Sequence, residues 1–208
     1  MRCLMCGRPL RSEGSLNEIL FREDSLCEKC RQEWKRIDRR TKIAGIPAEM
    51  TWAYEGGYMK ALLQYKECGD EALKNIFLEP VRLRLKWQYR GYTLLLMPSS
   101  QAKLEQRGFH HLAGMFESLG LPMMEPFEKC SEVTQQGRSR QERLRMIHGL
   151  RLKDNIRLPE KILLADDVLT TGSTIRGALN CLDLHAHHIK IYTAAYAERK
   201  AFLDDETI

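Results

Sequence analysis

The sequence predicts an α/β fold, a parallel sheet flanked by helices, with a small cysteine-bound module at the N-terminus. Three observations carry that expectation. Two short apolar runs, residues 93–97 and 161–165, each lead towards residues with helical spacing, as strands buried on both faces of a parallel sheet do. The second run ends in Asp166-Asp167 and a turn dense in Thr and Gly, at the carboxyl end of a strand, where open α/β sheets bind ligands. Finally, Cys3-x2-Cys6 and Cys27-x2-Cys30 stand twenty residues apart, a spacing typical of a metal clip.

Each cysteine pair spans one edge of a tetrahedron, and four thiolates close the coordination sphere. Cys3, Cys6, Cys27 and Cys30 are therefore expected to hold a structural Zn2+ with no open position for chemistry. Zinc binding in such modules contributes about 10–16 kcal/mol, enough to order a segment with little core. The odd total of seven cysteines and a start, Met1-Arg2-Cys3, without an apolar signal region favour a reduced, cytoplasmic chain over disulfides. Cys68, Cys130 and Cys181 are solitary and read as packing or surface residues.

The elements follow in order. Residues 1–45 are expected to form the zinc-binding module and a basic helix. Ala44-Gly45-Ile46-Pro47 reads as a boundary, with the main domain over 46–208. Residues 50–54 suggest a strand ended by Gly56-Gly57. Residues 59–66 place Ala61, Leu62 and Tyr65 at helical spacing. Cys68-Gly69-Asp70 ends that helix, a new one starts at Glu71, and Pro80 breaks or kinks it. Residues 93–97, closed by Pro98, read as a central strand. Phe109, Leu112, Ala113, Phe116 and Leu119 then mark an amphipathic helix. Ile175, Ala178, Leu179 and Leu182 mark another, and residues 189–197 the strand after it.

The junction after residue 165 carries the chemistry. Neighbouring carboxylates accept hydrogen bonds from neighbouring hydroxyls, as on a ribose, so Asp166 and Asp167 are expected to hold a sugar. Thr170, Thr171, Gly172, Ser173 and Thr174 form an anion site. Gly172 permits the tight turn, and the unpaired N–H groups of the turn and new helix face the ligand. No Lys or Arg is needed within the loop, because the backbone supplies the partial positive charge. Acids for hydroxyls beside amides for a phosphate point to phosphoribosyl chemistry.

The chain has 208 residues, 43% of them hydrophobic, enough for one α/β domain and a small appendage. No stretch approaches the roughly 18 apolar residues of a spanning helix. Net charge is +5; zinc on four thiolates would lower it to about +3. Basic residues concentrate in two places. Residues 29–42 carry seven against Glu33 and Asp38, and residues 138–157 carry seven against Glu142 and Asp154. Such clusters suit either a phosphate backbone or solvated helix faces. Trp34 and Trp87 are read as packing residues, with base stacking as the alternative.

The loop from Asp166 to Thr174 resembles the ribose-phosphate loop of type I phosphoribosyltransferases, and the chain is similar to the ComF family of competence-associated proteins. The four-cysteine zinc finger ahead of that loop is the family's arrangement. Arg107-Gly108-Phe109, Tyr65-Lys66-Glu67-Cys68-Gly69-Asp70 and Gln135-x3-Ser139-x2-Glu142-Arg143 also match, so the resemblance covers nearly the whole chain. It implies that Asp166 and Asp167 hold the ribose of phosphoribosyl pyrophosphate and that Thr170 to Thr174 cradle its 5′-phosphate. Mg2+ would arrive mainly through the pyrophosphate. The pyrophosphate side would include Pro98 and Ser99, with Lys103 and Arg107 as charge stabilisers. It further implies a role in bacterial DNA uptake, with single-stranded DNA and a ComFA-type helicase ATPase as partners. Purine or pyrimidine salvage is the competing activity.

The chain departs from the family on the pyrophosphate and acceptor sides. Leu96-Met97-Pro98 stands where the family often has Pro-x-Pro. His110 and His111 replace a common Asn-Gln, and Met146 replaces a frequent Asn. The two histidines are expected to lie exposed on a helix, with contact to phosphate as the alternative. Donor binding is therefore better supported than transfer, and no residue identifies an acceptor.

Overall fold

Much of the first basic run forms a strand, not the predicted helix. In the computed structural model, which describes residues 1–10, 24–99, 101–129 and 149–198, only Glu28–Gln32 (α1) is helical there. Arg36–Ile43 (β1) turns at Ala44 and Gly45, with φ of +49° and +79°, into Ile46–Ala53 (β2). Positive φ at both central positions matches the right-handed twist of a two-residue hairpin. The expected boundary thus falls on the turn of a hairpin whose strands pair in register from Ile43↔Ile46 to Arg40↔Glu49. Trp34, Ile43, Ala48, Met50 and Trp52 are buried while the basic side chains stay out. Partner strands, not helical periodicity, decided this segment.

The chain continues through Gly56–Glu67 (α2), two 3-10 turns at Glu71–Leu73 and Glu79–Val81, and Arg82–Gln88 (α3). The helix expected from Glu71 is therefore only a 3-10 turn, and Pro80, in the first positions of the second turn, precedes a helix instead of breaking one. Thr93–Leu96 (β3) follows, then Gln101–Arg107 (α4) and His111–Glu117 (α5), separated by Gly108 at φ +76°. The remaining elements are Met123–Met124 (β4), Phe127–Lys129 (β5), Leu150–Leu152 (β6), Lys161–Leu169 (β7), Ser173–Asn180 (α6) and His188–Tyr196 (β8).

Among the described residues six strands form one sheet in the order β1-β2-β8-β7-β3-β4, and β5 and β6 make a separate antiparallel pair. Only the β1–β2 pairing in the six-stranded sheet is antiparallel. The apolar run of β7 is central: Leu163 pairs Leu94 on one side and Lys190 on the other, and Ile162 to Ala165 are fully buried. The carboxyl ends of β2, β8, β7 and β3 therefore share one edge. The architecture is α/β, a mostly parallel sheet flanked by helices, with the four cysteines at the N-terminal end. Among the described residues no helix is long and apolar enough to cross a membrane.

An aromatic cluster joins the cysteine segment to the sheet. Trp34 packs edge-on against Trp52 at 5.4 Å and Tyr58 at 4.9 Å and stacks on Phe77 at 5.8 Å. Gly57 lets α2 approach this corner: a Cβ there would lie 2.8 Å from Glu33 Cβ and 3.0 Å from Trp34 Cδ1. Arg31 adds a polar tie, donating to Asp24 and to the Ile76 carbonyl, with its guanidinium 4.3 Å from the Trp34 ring centre. Trp34 thus packs as expected, but Trp87 is 81% exposed on α3. Cys130, Ser100, the Gln135-to-Arg143 motif, Met146 and the basic residues 138–145 lie outside the described residues.

Candidate functional site

The two cysteine pairs meet. Their four Sγ atoms lie within 4.8 Å of one another, and Cys6 Sγ is 3.6 Å from Cys27 Sγ. Thiolates sharing a tetrahedral zinc with bonds of about 2.3 Å stand about 3.8 Å apart, so the donor set fits that ion. Local hydrogen bonding builds each half. Gly7 N donates to Cys3 O and Cys3 N to Arg8 O, closing the first knuckle; Arg31 N donates to Cys27 O at the start of α1. Burial raises the Cys3 thiol, but the backbone of Cys27, Cys6 and Met5 outweighs it and brings the group down to about 6, favouring a thiolate. Burial and the three neighbouring sulfurs push Cys30 the other way. Four crowded sulfurs of this kind ionise together when a cation shares their charge.

The second site is a cleft of about 380 Å³ at the carboxyl ends of β3 and β7, within the usual size range of small-molecule pockets. Asp166 and Asp167 both line it, as do Thr170, Thr174, Pro98, Ser99, Lys103 and Arg107. Both expected sugar-binding acids, the four expected pyrophosphate-side residues and two of the five expected phosphate-loop residues thus share one cavity, while Gly172 does not line it. Nor do Thr171 and Ser173. Their hydroxyls bond each other at 3.0 Å, and the Ser173 amide donates to Thr171 Oγ1 at 3.3 Å, which shapes the turn. Gly172 turns the chain at φ +71° and caps α6, so the first amides of that helix begin beside the cleft.

The two acids have different surroundings. Asp167 is buried, accepting from Lys66 Nζ at 2.5 Å and from His111 Nε2 at 2.9 Å. Burial works to raise its carboxyl, but the His111 hydrogen bond and the Lys66 charge outweigh it and hold the group well below the usual carboxylate range. Asp166 is half-buried, and its Oδ1 accepts from the Asp167 amide at 3.0 Å. Enclosure by the cleft, then the charge of Asp167, pushes the Asp166 carboxyl up to about 8. Adjacent positions in β7 therefore offer one fixed carboxylate and one group that can gain or lose a proton near neutrality.

His111 was expected on an exposed helix face; it is 5% exposed and belongs to the site. Its Nδ1 lies 3.3 Å from Arg107 Nη1 and 3.5 Å from Ser99 Oγ. A guanidinium only donates, so Nδ1 accepts and the proton sits on Nε2, directed at Asp167. Burial lowers the ring's pKa, and Asp167 opposes it without reversing the shift. His110 instead caps α5, accepting from the Ala113 amide at 3.2 Å, and stands 3.6 Å from Glu125. Arg107 also donates to Glu67 Oε1 at 2.9 Å, and its side chain is only 4% exposed.

Lys66 and Lys129 line the cleft with no site role assigned from the sequence, and His111 takes the place of its alternative reading, beside the anion site. Lys66 stands in the Tyr65-to-Asp70 run, which was the one available signal. Lys66, Lys103, Arg107 and Lys129 face Asp166 and Asp167 across the cleft. That excess of positive charge suits a polyanion, and the two carboxylates suit its hydroxyls. Two carboxyl groups, one of them already engaged by Lys66 and His111, are too few to hold a magnesium ion by themselves.

No family model matches the chain. It is 28% identical to "Competence protein ComFC" of Streptococcus pneumoniae over 207 residues, 88% of this chain and 94% of that protein. It is 26% identical to "Competence protein ComFC" of Bacillus subtilis over 182 residues, 86% of this chain and 70% of that protein.

Proposed function

We propose, from the premise that this chain is a ComF-family protein related to the ComFC competence proteins, that it serves bacterial DNA uptake by binding phosphoribosyl pyrophosphate in the Asp166–Asp167 cleft. The observation that carries this reading is the convergence of both acids, Thr170, Thr174 and four cations on one cavity at the carboxyl edge of the sheet. Asp166 and Asp167 would accept from the ribose hydroxyls. The turn of Thr170 to Thr174 and the first amides of α6 would receive the 5′-phosphate. Lys103, Arg107, Pro98 and Ser99 would face the pyrophosphate, and Lys66 and His111 would keep Asp167 ionised and aimed. Mg2+ bound by the pyrophosphate would offset its charge.

The four cysteines would hold a structural zinc, ordering the segment ahead of β1 as a small module beside a phosphoribosyltransferase-like domain whose sheet begins with β1. Basic β1 side chains (Arg36, Arg39, Arg40 and Lys42) form a charged edge suited to single-stranded DNA. A helicase-type ATPase of the uptake machinery would be the protein partner, and the setting would be cytoplasmic.

Titration calorimetry with phosphoribosyl pyrophosphate and Mg2+ tests the donor site. Asp166→Ala with Asp167→Ala should abolish binding while circular dichroism stays unchanged; equal affinity in the double variant would exclude this cleft. A second reading, turnover by an active phosphoribosyltransferase, is favoured by the ordered Asp167–His111–Arg107 chain beside Ser99. Pyrophosphate would leave C1′ as an acceptor nitrogen bonds to it, with Lys103 and Arg107 stabilising the departing charge. Pyrophosphate release from labelled donor, with and without bases and single-stranded DNA, separates turnover from binding.

A further inference from the structure

A second pocket, of about 310 Å³, opens near the same carboxyl edge of the sheet, where β2 and β8 end and β1 begins. It is separate from the cleft but close to it: the Ala197 amide beside this pocket donates to Leu169 O at 2.9 Å, at the entry to the Thr170 turn. Its walls include Lys35, Arg39, Tyr54, Glu55, Tyr196 and Glu198. Tyr54 and Tyr196 are half-buried and tied together, the Tyr54 amide donating to Tyr196 O at 2.8 Å.

The edge strand is deformed here. Arg36 pairs Trp52 but Arg39 pairs Met50, so β1 carries one extra residue. Asp38 sits at φ +41° within this bulge, pinned by Arg36 Nε at 2.7 Å. A non-glycine residue in the left-handed region is strained, and bulges of this kind re-aim side chains beside binding sites. Here the Arg39 guanidinium lies over the Tyr196 ring, 4.7 Å from its centre. Lys35 pairs with Glu55 at 3.3 Å at the rim.

We infer that this pocket binds one nucleotide whose base carries an exocyclic amine. The base stacks against Tyr54 and the Tyr196–Arg39 pair, Glu55 or Glu198 accepts from the amine, and Lys35 meets the phosphate. The pairing of acids with cations argues against a simple inorganic anion, which would gain from the cations alone. This deepens the nucleic-acid reading above and rests on it. The nucleotide could come free or as one unit of a single strand, and the chemistry of recognition is shared.

The test uses the full-length zinc-loaded protein and three calorimetric titrations: deoxyadenosine monophosphate, a short oligodeoxyadenylate, and phosphoribosyl pyrophosphate. Arg39→Gln and Tyr54→Ala should each weaken adenylate binding about tenfold or more, while phosphoribosyl pyrophosphate binds as before. Weakening with both adenylates identifies a site for free nucleotide; weakening of the oligomer alone identifies a strand site. If wild-type protein binds neither adenylate, the nucleic-acid reading fails and this site with it. If the oligomer binds and neither variant changes its affinity, this pocket is excluded while nucleic-acid binding stands. Should Tyr54→Ala unfold, Glu55→Gln with Glu198→Gln, both at exposed positions, decides the matter. The pair should weaken the oligodeoxyadenylate and leave an oligodeoxythymidylate, which has no exocyclic amine, unchanged. Equal or tighter binding of both would exclude the pocket.

Discussion

Cys3 and Cys6 come from one turn and Cys27 and Cys30 from the start of α1, each pair separated by two residues, whereas the cleft draws on α2, the end of β3, α4, α5, β7 and the turn after it. The first site is specified by local spacing and one cross-connection. The second exists only when a parallel sheet has brought remote strand ends and helices together. One residue next to the cysteines belongs to both worlds: Trp34, packed on Trp52, Tyr58 and Phe77, couples the cysteine segment to the sheet. The contrast teaches that the two sites should fail separately unless that aromatic contact transmits the damage.

Metal removal is the largest perturbation. Chelation should forfeit about 10 kcal/mol or more of local ordering and raise hydrogen exchange sharply across residues 1–10 and 24–32. Affinity for phosphoribosyl pyrophosphate should persist. If exchange rose equally across β7, the two regions would be one cooperative unit. Trp34→Ala probes the coupling directly. It should cost about 3–5 kcal/mol in denaturant unfolding, whereas Trp87→Ala, on the solvent side of α3, should stay within about 0.5 kcal/mol. A similar cost at both positions would refute the packing described for this corner.

Within the cleft, the two acids should separate by sign. Asp167→Asn removes the charge that balances Lys66 and accepts from His111, and should cost about 3 kcal/mol. The Asp167 contribution is present above the ordinary carboxylate range and is lost as pH falls towards its depressed folded value. Asp166 behaves oppositely: its raised folded pKa means stability is greatest below the unfolded value near 4 and declines until pH passes about 8. Asp166→Asn should therefore flatten that decline and raise the melting temperature by about 3 °C above pH 8, equivalent to roughly 1 kcal/mol. Melting curves of both variants from pH 4 to 9 check it; a fall in the melting temperature of Asp166→Asn at high pH would reverse the assignment.

The cysteine spacing, the run of β7, the acids at its end and the glycine of the turn were legible because each is a short-range pattern whose physics is local. The basic run over residues 36–43 was misread for the complementary reason. Its charges carry no helical period, and its strand character comes from the Ala44–Gly45 turn and from pairing with β2. His111 looked like a surface histidine because nothing near it in sequence reveals that α5 presents it to Asp167, 56 residues away. Lys66 lies farther still, at a separation of 101. By itself the sequence determined which residues can ligate metal, cradle an anion and start or end a strand, since these depend on side-chain chemistry and local backbone. Tertiary structure alone decided which charges share a cavity, which acid stays ionised and which tryptophan is buried, because desolvation and Coulomb energy depend on distances that only folding sets.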